Sequence, residues 1–160
     1  MRNDSLAFFC CLRPGEITRS DNNLQLSQVK LCQEALEVEF RSFKHYHGRP
    51  ITIVIPKQGG KACPVLLLSN FLKLRGSAPG PLFCHPDGNA ASYSEYRKIF
   101  VELNAHLQGP TFLTPHSPRI GGATHAAISG MPPEAIQRLG RWHSNAFQKY
   151  IRIDSFKIPS

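Results

Sequence analysis

No stretch of this 160-residue chain is long and apolar enough to cross a bilayer. The longest near-apolar runs are residues 6–12 and 65–72. No basic-then-apolar leader with a small-residue cleavage site opens the sequence, so secretion has no support. Cys10, Cys11, Cys32, Cys63 and Cys84 are odd in number, two are adjacent, and none forms a C-x-x-C pair. That argues against both a disulfide framework and a zinc site, and for reduced, mostly buried thiols in a cytosolic or nuclear protein. No Walker-type phosphate loop occurs, because Gly121-Gly122 has the wrong spacing, and there is no G-x-S-x-G elbow. Acid is scarce: 11 Asp and Glu stand against 19 Lys and Arg, a net charge of +8 and a pI near 9.5. The carboxylates are scattered, and only Glu37 and Glu39 sit close together, on the solvent side of a strand pattern. A two-metal nuclease, which needs converging acids, is disfavoured. What remains is a basic chain with 41% hydrophobic residues, enough for the core of one domain, whose charge points to a polyanion, most commonly nucleic acid.

The order of elements is readable. The apolar run 6–12 breaks near Arg13, because a residue before proline is pushed out of the helical region, and Pro14 suits the first position of a new helical turn. Val29–Leu31 is a short strand. Leu36, Val38 and Phe40 alternate with Glu37, Glu39 and Arg41, and Ile51, Ile53 and Ile55 alternate with Thr52 and Val54, the period-two pattern of half-buried strands. Together they predict a small antiparallel meander, with Lys44 where the middle strand ends. The remainder reads as helical: 65–74; 92–107, with Tyr93, Tyr96, Phe100, Leu103 and Leu107 on one face; a helix capped by Ser117 before Pro118 and ended by Gly130; one from Pro132-Pro133-Glu134 closed by Gly140; and a last helix capped by Ser144, in which Phe147 and Ile151 share a face.

The residues with chemical potential are basic. Arg119 falls in the first turn of the Pro118 helix, where main-chain N–H groups and the helix dipole favour an anion, and His116 lies just before it. Arg13, Lys44, Trp142 and Tyr150 are individually unremarkable: a junction arginine, an edge lysine, a core tryptophan, a half-buried tyrosine.

Their order is specific. Arg13…Lys44…His116-Ser-Pro-Arg119…Trp142…Tyr150 resembles the signature of the tyrosine recombinase (phage-integrase) catalytic domain. Leu12-Arg13-Pro14-Gly15-Glu16-Ile17 looks like that family's first arginine motif. The segment from His116 to Thr124 looks like its second, and the segment from Leu139 to Arg152 like its tyrosine segment. This last wording, with Pro81-Leu82-Phe83 upstream, is most similar to the recombinases of eukaryotic Crypton and DIRS-type mobile elements. Trp142 to Tyr150 is one residue shorter than the usual family spacing, so Arg141 is an alternative for the His/Trp position. Lys57 and Lys61 follow Lys44 as alternatives for the lysine. The family carries a DNA-gripping helical domain and further helices before the first arginine. The resemblance therefore implies that residues 1–160 are a catalytic domain incomplete at its N-terminus, with an exposed apolar patch around Phe8, Phe9 and Leu12.

The implied fold is α+β, mainly α-helical, with a small three-stranded antiparallel sheet: the DNA breaking-rejoining enzyme fold. The implied reaction is metal-free and cofactor-free cleavage and rejoining of double-stranded DNA through a 3′-phosphotyrosyl intermediate. Tyr150 would be the nucleophile, with Arg13 and Arg119 on the non-bridging oxygens and Lys44 as the acid for the leaving 5′ oxygen. His116 would assist proton transfer, Trp142 would pack the site or donate its indole N–H, and Glu16 would orient the first motif. The resemblance further implies a homotetramer on DNA, with residues 156–160 as a candidate exchange segment, a nuclear location, and neither a membrane nor a small-molecule substrate. A catalytically inactive DNA-binding remnant of a mobile-element recombinase is the alternative, and a type IB topoisomerase-like relaxase, which shares the chemistry, is a third reading.

Overall fold

The computed structural model describes residues 4–43, 46 and 48–153. The first helix, α1 (Asp4–Phe9), and the short α2 (Pro14–Ile17) lead through a 3₁₀ turn at Leu26–Gln28 into the sheet. Strands β1 (Val29–Leu31), β2 (Ala35–Phe40) and β3 (Ile51–Pro56) form an antiparallel meander in the order β1-β2-β3. Then follow α3 (Pro64–Arg75), α4 (Tyr93–His106), α5 (Ser117–Ile128), α6 (Pro133–Gly140) and a 3₁₀ helix at Asn145–Tyr150. Among the described residues no helix is long and apolar enough to cross a membrane.

The sheet forms where the alternation predicts it. Leu36 pairs with Ile55 and Val38 with Ile53, so one face is wholly apolar, and all four side chains are buried. Glu37 and Glu39 point the other way and meet Lys30 and Arg41. Helix α3 covers the apolar face. Its C-terminal Arg75 donates to the carbonyls of Ala78 (2.7 Å), Pro81 (2.8 Å) and Leu82 (3.1 Å), which pins the Pro/Gly-rich loop beyond it.

Helix α5 is the hub of the other half. It packs against α1, α6 and the 3₁₀ helix Asn145–Tyr150. Glycine makes the α1–α5 approach possible. A methyl group at Gly122 would lie 2.0 Å from the Phe8 carbonyl oxygen, whereas one at Gly121 would meet only the Phe8 ring, at 3.0 Å.

Three helices end in the same way. In α1, the N–H groups of Cys11 and Leu12 return to the Phe8 and Ala7 carbonyls. In α5, those of Gly130 and Met131 return to Ala127 and Ala126. In α6, those of Arg141 and Trp142 return to Arg138 and Gln137. This is the Schellman arrangement, which needs one left-handed residue. Gly130 fills that position in α5 at φ 79°, but in α1 it is Cys11 at φ 46° and in α6 Arg141 at φ 56°. Glycine is the usual occupant because a side chain costs energy there.

Several expectations are corrected. Leu12 is buried, and Phe8 and Phe9 are half-buried under α5, so no exposed patch exists at these three. In α4, Tyr96 and Phe100 are buried, but Tyr93 and Leu107, at the ends of the stripe, face out. His116, not Ser117, holds the capping position of α5; the Ser117 hydroxyl accepts instead from the Thr114 N–H at 2.8 Å. Arg141, not Gly140, is the left-handed residue that ends α6. The last helix is 3₁₀, although Ser144 does cap it, accepting from the Ala146 N–H.

Gly122→Ala is expected to lower stability. Overpacking against a main-chain oxygen costs about 1–3 kcal/mol, which outweighs a helix-propensity gain of about 1 kcal/mol. At this chain length each kcal/mol moves Tm by about 2–4 °C. Gly121→Ala, whose neighbour is a rotatable ring, should leave Tm near wild type. Thermal unfolding of the two variants side by side checks the contrast.

Candidate active site

The site is built where the ends of α1 and α6 meet the first turns of α2 and α5. Arg13 occupies the capping position of α2, and its N–H donates to Glu16 Oε2 at 2.6 Å. Glu16 is 2% exposed. Its carboxylate also accepts from Arg13 Nη1 (3.4 Å), Arg141 Nε (3.2 Å) and Arg141 Nη2 (2.7 Å). The Arg13 guanidinium is held from the other side by the Arg141 carbonyl, at 2.9 Å from Nη2.

Arg119 lies in the first turn of α5, but its side chain runs inward and is 2% exposed. It donates to the carbonyl of Cys11 and, at 2.6 Å, to that of Gly140. These acceptors are available because Cys11 and Arg141 end their helices left-handed. Arg119 is therefore not spread over the helix N-terminus as the sequence predicts. It sits in a socket made by two other helix ends.

Aromatic rings complete the enclosure. The Trp142 ring lies 4.0 Å from Arg119 Cζ, cation–π distance, and 5.2 Å from the Tyr150 ring. The Tyr150 ring is itself 5.6 Å from Arg119 Cζ. Gly140 makes room for this: a methyl group there would fall 1.6 Å from Trp142 Cζ3. Among the described residues, Trp142 Nε1 is enclosed without a hydrogen-bond partner. The tyrosine segment is tethered to α5 by Thr124, whose Oγ1 lies 3.2 Å from the Tyr150 carbonyl and accepts from the Arg152 N–H at 3.0 Å.

Beside the buried cluster is an open cavity of about 370 Å³, lined by Arg13, Glu16, Thr18, Phe43, Tyr93 and His116 among others. His116 is exposed on its rim. Phe43 stacks on Tyr46, with ring centres 4.5 Å apart, and its ring lies 5.7 Å from Arg13 Cζ.

The electrostatics follow from crowding. Burial, then repulsion from Arg13 and Arg141, lowers the Arg119 guanidinium to about 10. Burial and the Arg141 charge lower Arg13, while Glu16 and, more weakly, Tyr150 oppose that. Burial and the Arg119 charge lower His116, favouring its neutral form. Cys10 and Cys11 are pushed up by burial to about 12 and about 11, which favours the thiol over the reactive thiolate at neutral pH. Among the described residues no cluster of His, Cys, Asp and Glu is arranged to hold a metal ion.

Of the six residues singled out from the sequence, Arg13, His116, Arg119, Trp142 and Tyr150 surround this one region. Lys44 lies outside the described residues. Of its alternatives, Lys57 is paired with Glu34 at 3.2 Å and Lys61 is exposed. Arg141 belongs to the cluster through Glu16, and it is Trp142 whose ring touches both Arg119 and the tyrosine. Two contributors went unrecognised in the sequence. Thr124 carries only the signal of lying one helical turn beyond Ile120 on the Arg119 helix. Cys11 carries none, because its part is played by a carbonyl.

Gly140→Ala is expected to expel the indole from its place over Arg119. The chain has a single tryptophan, so a red-shifted emission maximum with unchanged helical circular dichroism is the expected result. Thr124→Val, which removes one hydroxyl, should cost about 1 kcal/mol of stability and raise amide exchange at the Arg152 N–H, read by hydrogen-exchange NMR.

No protein-family model matches the chain, and no curated protein sequence matches it. Solved structures do. The chain is similar to the XerA recombinase, with TM-score 0.72 and 22% identity over 94% of this chain and 52% of that one. It is similar to the Tn1549 transposon integrase in complex with a circular intermediate DNA, with TM-score 0.60 and 16% identity over 96% of this chain and 54% of that one. It is also similar to the XerH site-specific recombinase bound to a palindromic difH substrate in a post-cleavage complex, with TM-score 0.66 and 17% identity over 95% and 41%. The chain thus spans about half the length of these structures. Its architecture, mainly helical with a small three-stranded antiparallel sheet, is the tyrosine-recombinase fold.

Proposed function

We propose that this chain supplies the catalytic centre of a DNA strand-exchange enzyme that cleaves and rejoins a phosphodiester through Tyr150. The observation that carries this reading is the meeting of a tyrosine ring with a buried guanidinium, 5.6 Å apart, beside an open cavity lined by a second arginine and a histidine. Arg13 and Arg141 pair with one carboxylate, Glu16, and Arg119 lies close by without a carboxylate partner of its own, an excess of two positive charges of which only Arg13 reaches the open cavity. Attack on a phosphodiester places a second negative charge on the phosphorus oxygens in the transition state. A pre-positioned excess of positive charge stabilises that state more than the ground state.

In this mechanism the Tyr150 oxygen forms a bond to phosphorus and the bond to the 5′ oxygen breaks. The phenolic proton passes to His116, whose neutral form is favoured by partial desolvation and by the Arg119 charge. Lys44 gives a proton to the leaving 5′ oxygen. Arg13 and Arg119 hold the non-bridging oxygens, and the Trp142 ring lies against Arg119. The link that forms is a 3′-phosphotyrosine, which conserves the diester bond energy, so an incoming 5′ hydroxyl reverses the steps without a nucleotide cofactor. The substrate is double-stranded DNA. Working as a homotetramer in the nucleus, in the manner of mobile-element recombinases, is part of the same proposal. The basic composition supports a nucleic-acid partner.

A duplex nicked close to the cleavage site, so that a short strand diffuses away after attack, tests the reading. Wild type should form a covalent protein–DNA adduct, and Tyr150→Phe should form none. DNA binding that falls with salt but yields no adduct on any duplex would instead favour a binding remnant. The His116 shift also fixes a sign. Its pKa is lowered from the ordinary 6.5, so adduct formation should persist through neutrality and decline as pH falls below about 6.5. Arg119 is lowered to about 10, so adduct formation should decline again as pH rises past about 10. His116→Asn should lower the rate and remove the acidic decline.

A further inference from the structure

Arg141 is the most fully committed side chain of the cluster. Its guanidinium has five N–H donors, and five hydrogen bonds account for them. Nε donates to Glu16 Oε1 (3.2 Å). Nη1 donates to the carbonyls of Cys10 (3.1 Å) and Leu139 (2.8 Å). Nη2 donates to the Cys11 carbonyl (3.3 Å) and to Glu16 Oε2 (2.7 Å). The side chain has no exposed surface, and its face rests 3.7 Å over the Phe40 ring. It has no donor left for a phosphate. By contrast, among the described residues, hydrogen bonds engage only two guanidinium nitrogens of Arg13, and its side chain is 24% exposed into the open cavity.

Arg141 nevertheless touches Arg13 by two independent routes. Its guanidinium fixes the Glu16 carboxylate, which accepts from the Arg13 main chain and side chain. Its own carbonyl accepts directly from Arg13 Nη2. The left-handed backbone of Arg141 is what lets one residue do both: it turns the side chain toward Glu16 while the carbonyl faces Arg13. Glycine would fill the conformation without strain, as Gly130 does at the end of α5, but it would give up the first route.

We infer that Arg141 is a positioning residue that holds the Arg13 guanidinium in the geometry that grips a phosphate, acting through Glu16 and through its own carbonyl. This rests on the phosphate-handling role proposed above for Arg13. It goes beyond that role by assigning a third arginine that never meets the DNA.

The test is a double-mutant cycle with an added readout that needs no catalysis. Single-turnover adduct formation on the nicked duplex is measured for Arg13→Ala, Arg141→Gly and the pair, each shown to be folded at the assay temperature. Each single change should slow the reaction by about 100-fold. The double variant should be slower than Arg13→Ala by no more than about threefold. Two independent or merely structural losses would multiply to about 10⁴-fold and would overturn the inference. Where the glycine variant does not fold, Arg141→Lys keeps a cation beside Glu16 and gives the same non-additive pattern with smaller losses.

The second readout is the Arg13 Nε–Hε resonance during titration of the full chain with inorganic phosphate. In wild type it should shift on titration, and in Arg141→Gly and Glu16→Gln the apparent affinity read at this resonance should fall at least about tenfold, while the Arg75 resonance stays the same. An unchanged Arg13 response in Arg141→Gly overturns the inference even if wild type forms no adduct. Absence of an adduct in wild type alone counts against the cleavage reading.

Discussion

One carboxylate organises the arginine-rich half of the molecule. Glu16 is removed from water and accepts from two arginines whose positions in the chain are 128 residues apart. Charges buried this deeply are tolerable only when paired and hydrogen-bonded throughout. That requirement couples the start of α2 to the end of α6, because neither Arg141 nor Glu16 can be desolvated alone. Once the pair is made, the carbonyls of Cys10, Cys11, Leu139 and Gly140 are drawn into the same volume and accept from Arg141 and Arg119. The result is a rigid floor of polar groups with more positive than negative charge, covered by Trp142 and Tyr150.

The two left-handed residues are the backbone counterpart of that pair. A helix end normally spends its left-handed position on glycine. Here Cys11 and Arg141 occupy it at the site, while Gly130 occupies it away from the site. Strained conformations of this kind persist where surrounding contacts over-determine them. In both cases the contacts are those that seat the arginines. Cys11 contributes a carbonyl, and Arg141 contributes a carbonyl and a guanidinium.

Much of this was legible in one dimension. The alternation of Leu36, Val38 and Phe40 with acids, and of the isoleucines with Thr52 and Val54, fixes two strands and their buried faces, because a two-residue period leaves a single way to face the core. Proline marks the starts of α2, α3, α5 and α6, because its missing N–H is an orphan there in any case. Five of the six residues singled out by their order and type surround one region. What the sequence hides is whatever depends on a partner far along the chain. The inward course of Arg119 depends on carbonyls at Cys11 and Gly140. The burial of Leu12 depends on α5, whose Gly122 lets α1 come close. The role of Arg141 depends on a glutamate 125 positions away. Lys44, between Phe43 and Tyr46, lies outside the described residues.

The mounting of Tyr150 differs from that of the arginines. The phenol stands at the end of a single stretch of 3₁₀ helix, a form with poorer hydrogen-bond geometry than an α-helix. Its main chain is moored to α5 through one threonine hydroxyl. Its side-chain anchor is Phe147, which is buried in the core. The arginine floor is held by other hydrogen bonds, to Glu16 and to the carbonyls of Cys10, Cys11, Leu139 and Gly140, and does not depend on this segment. For the strand-cleaving role proposed above, such a mounting would let the tyrosine change position while the charged scaffold stays unmoved.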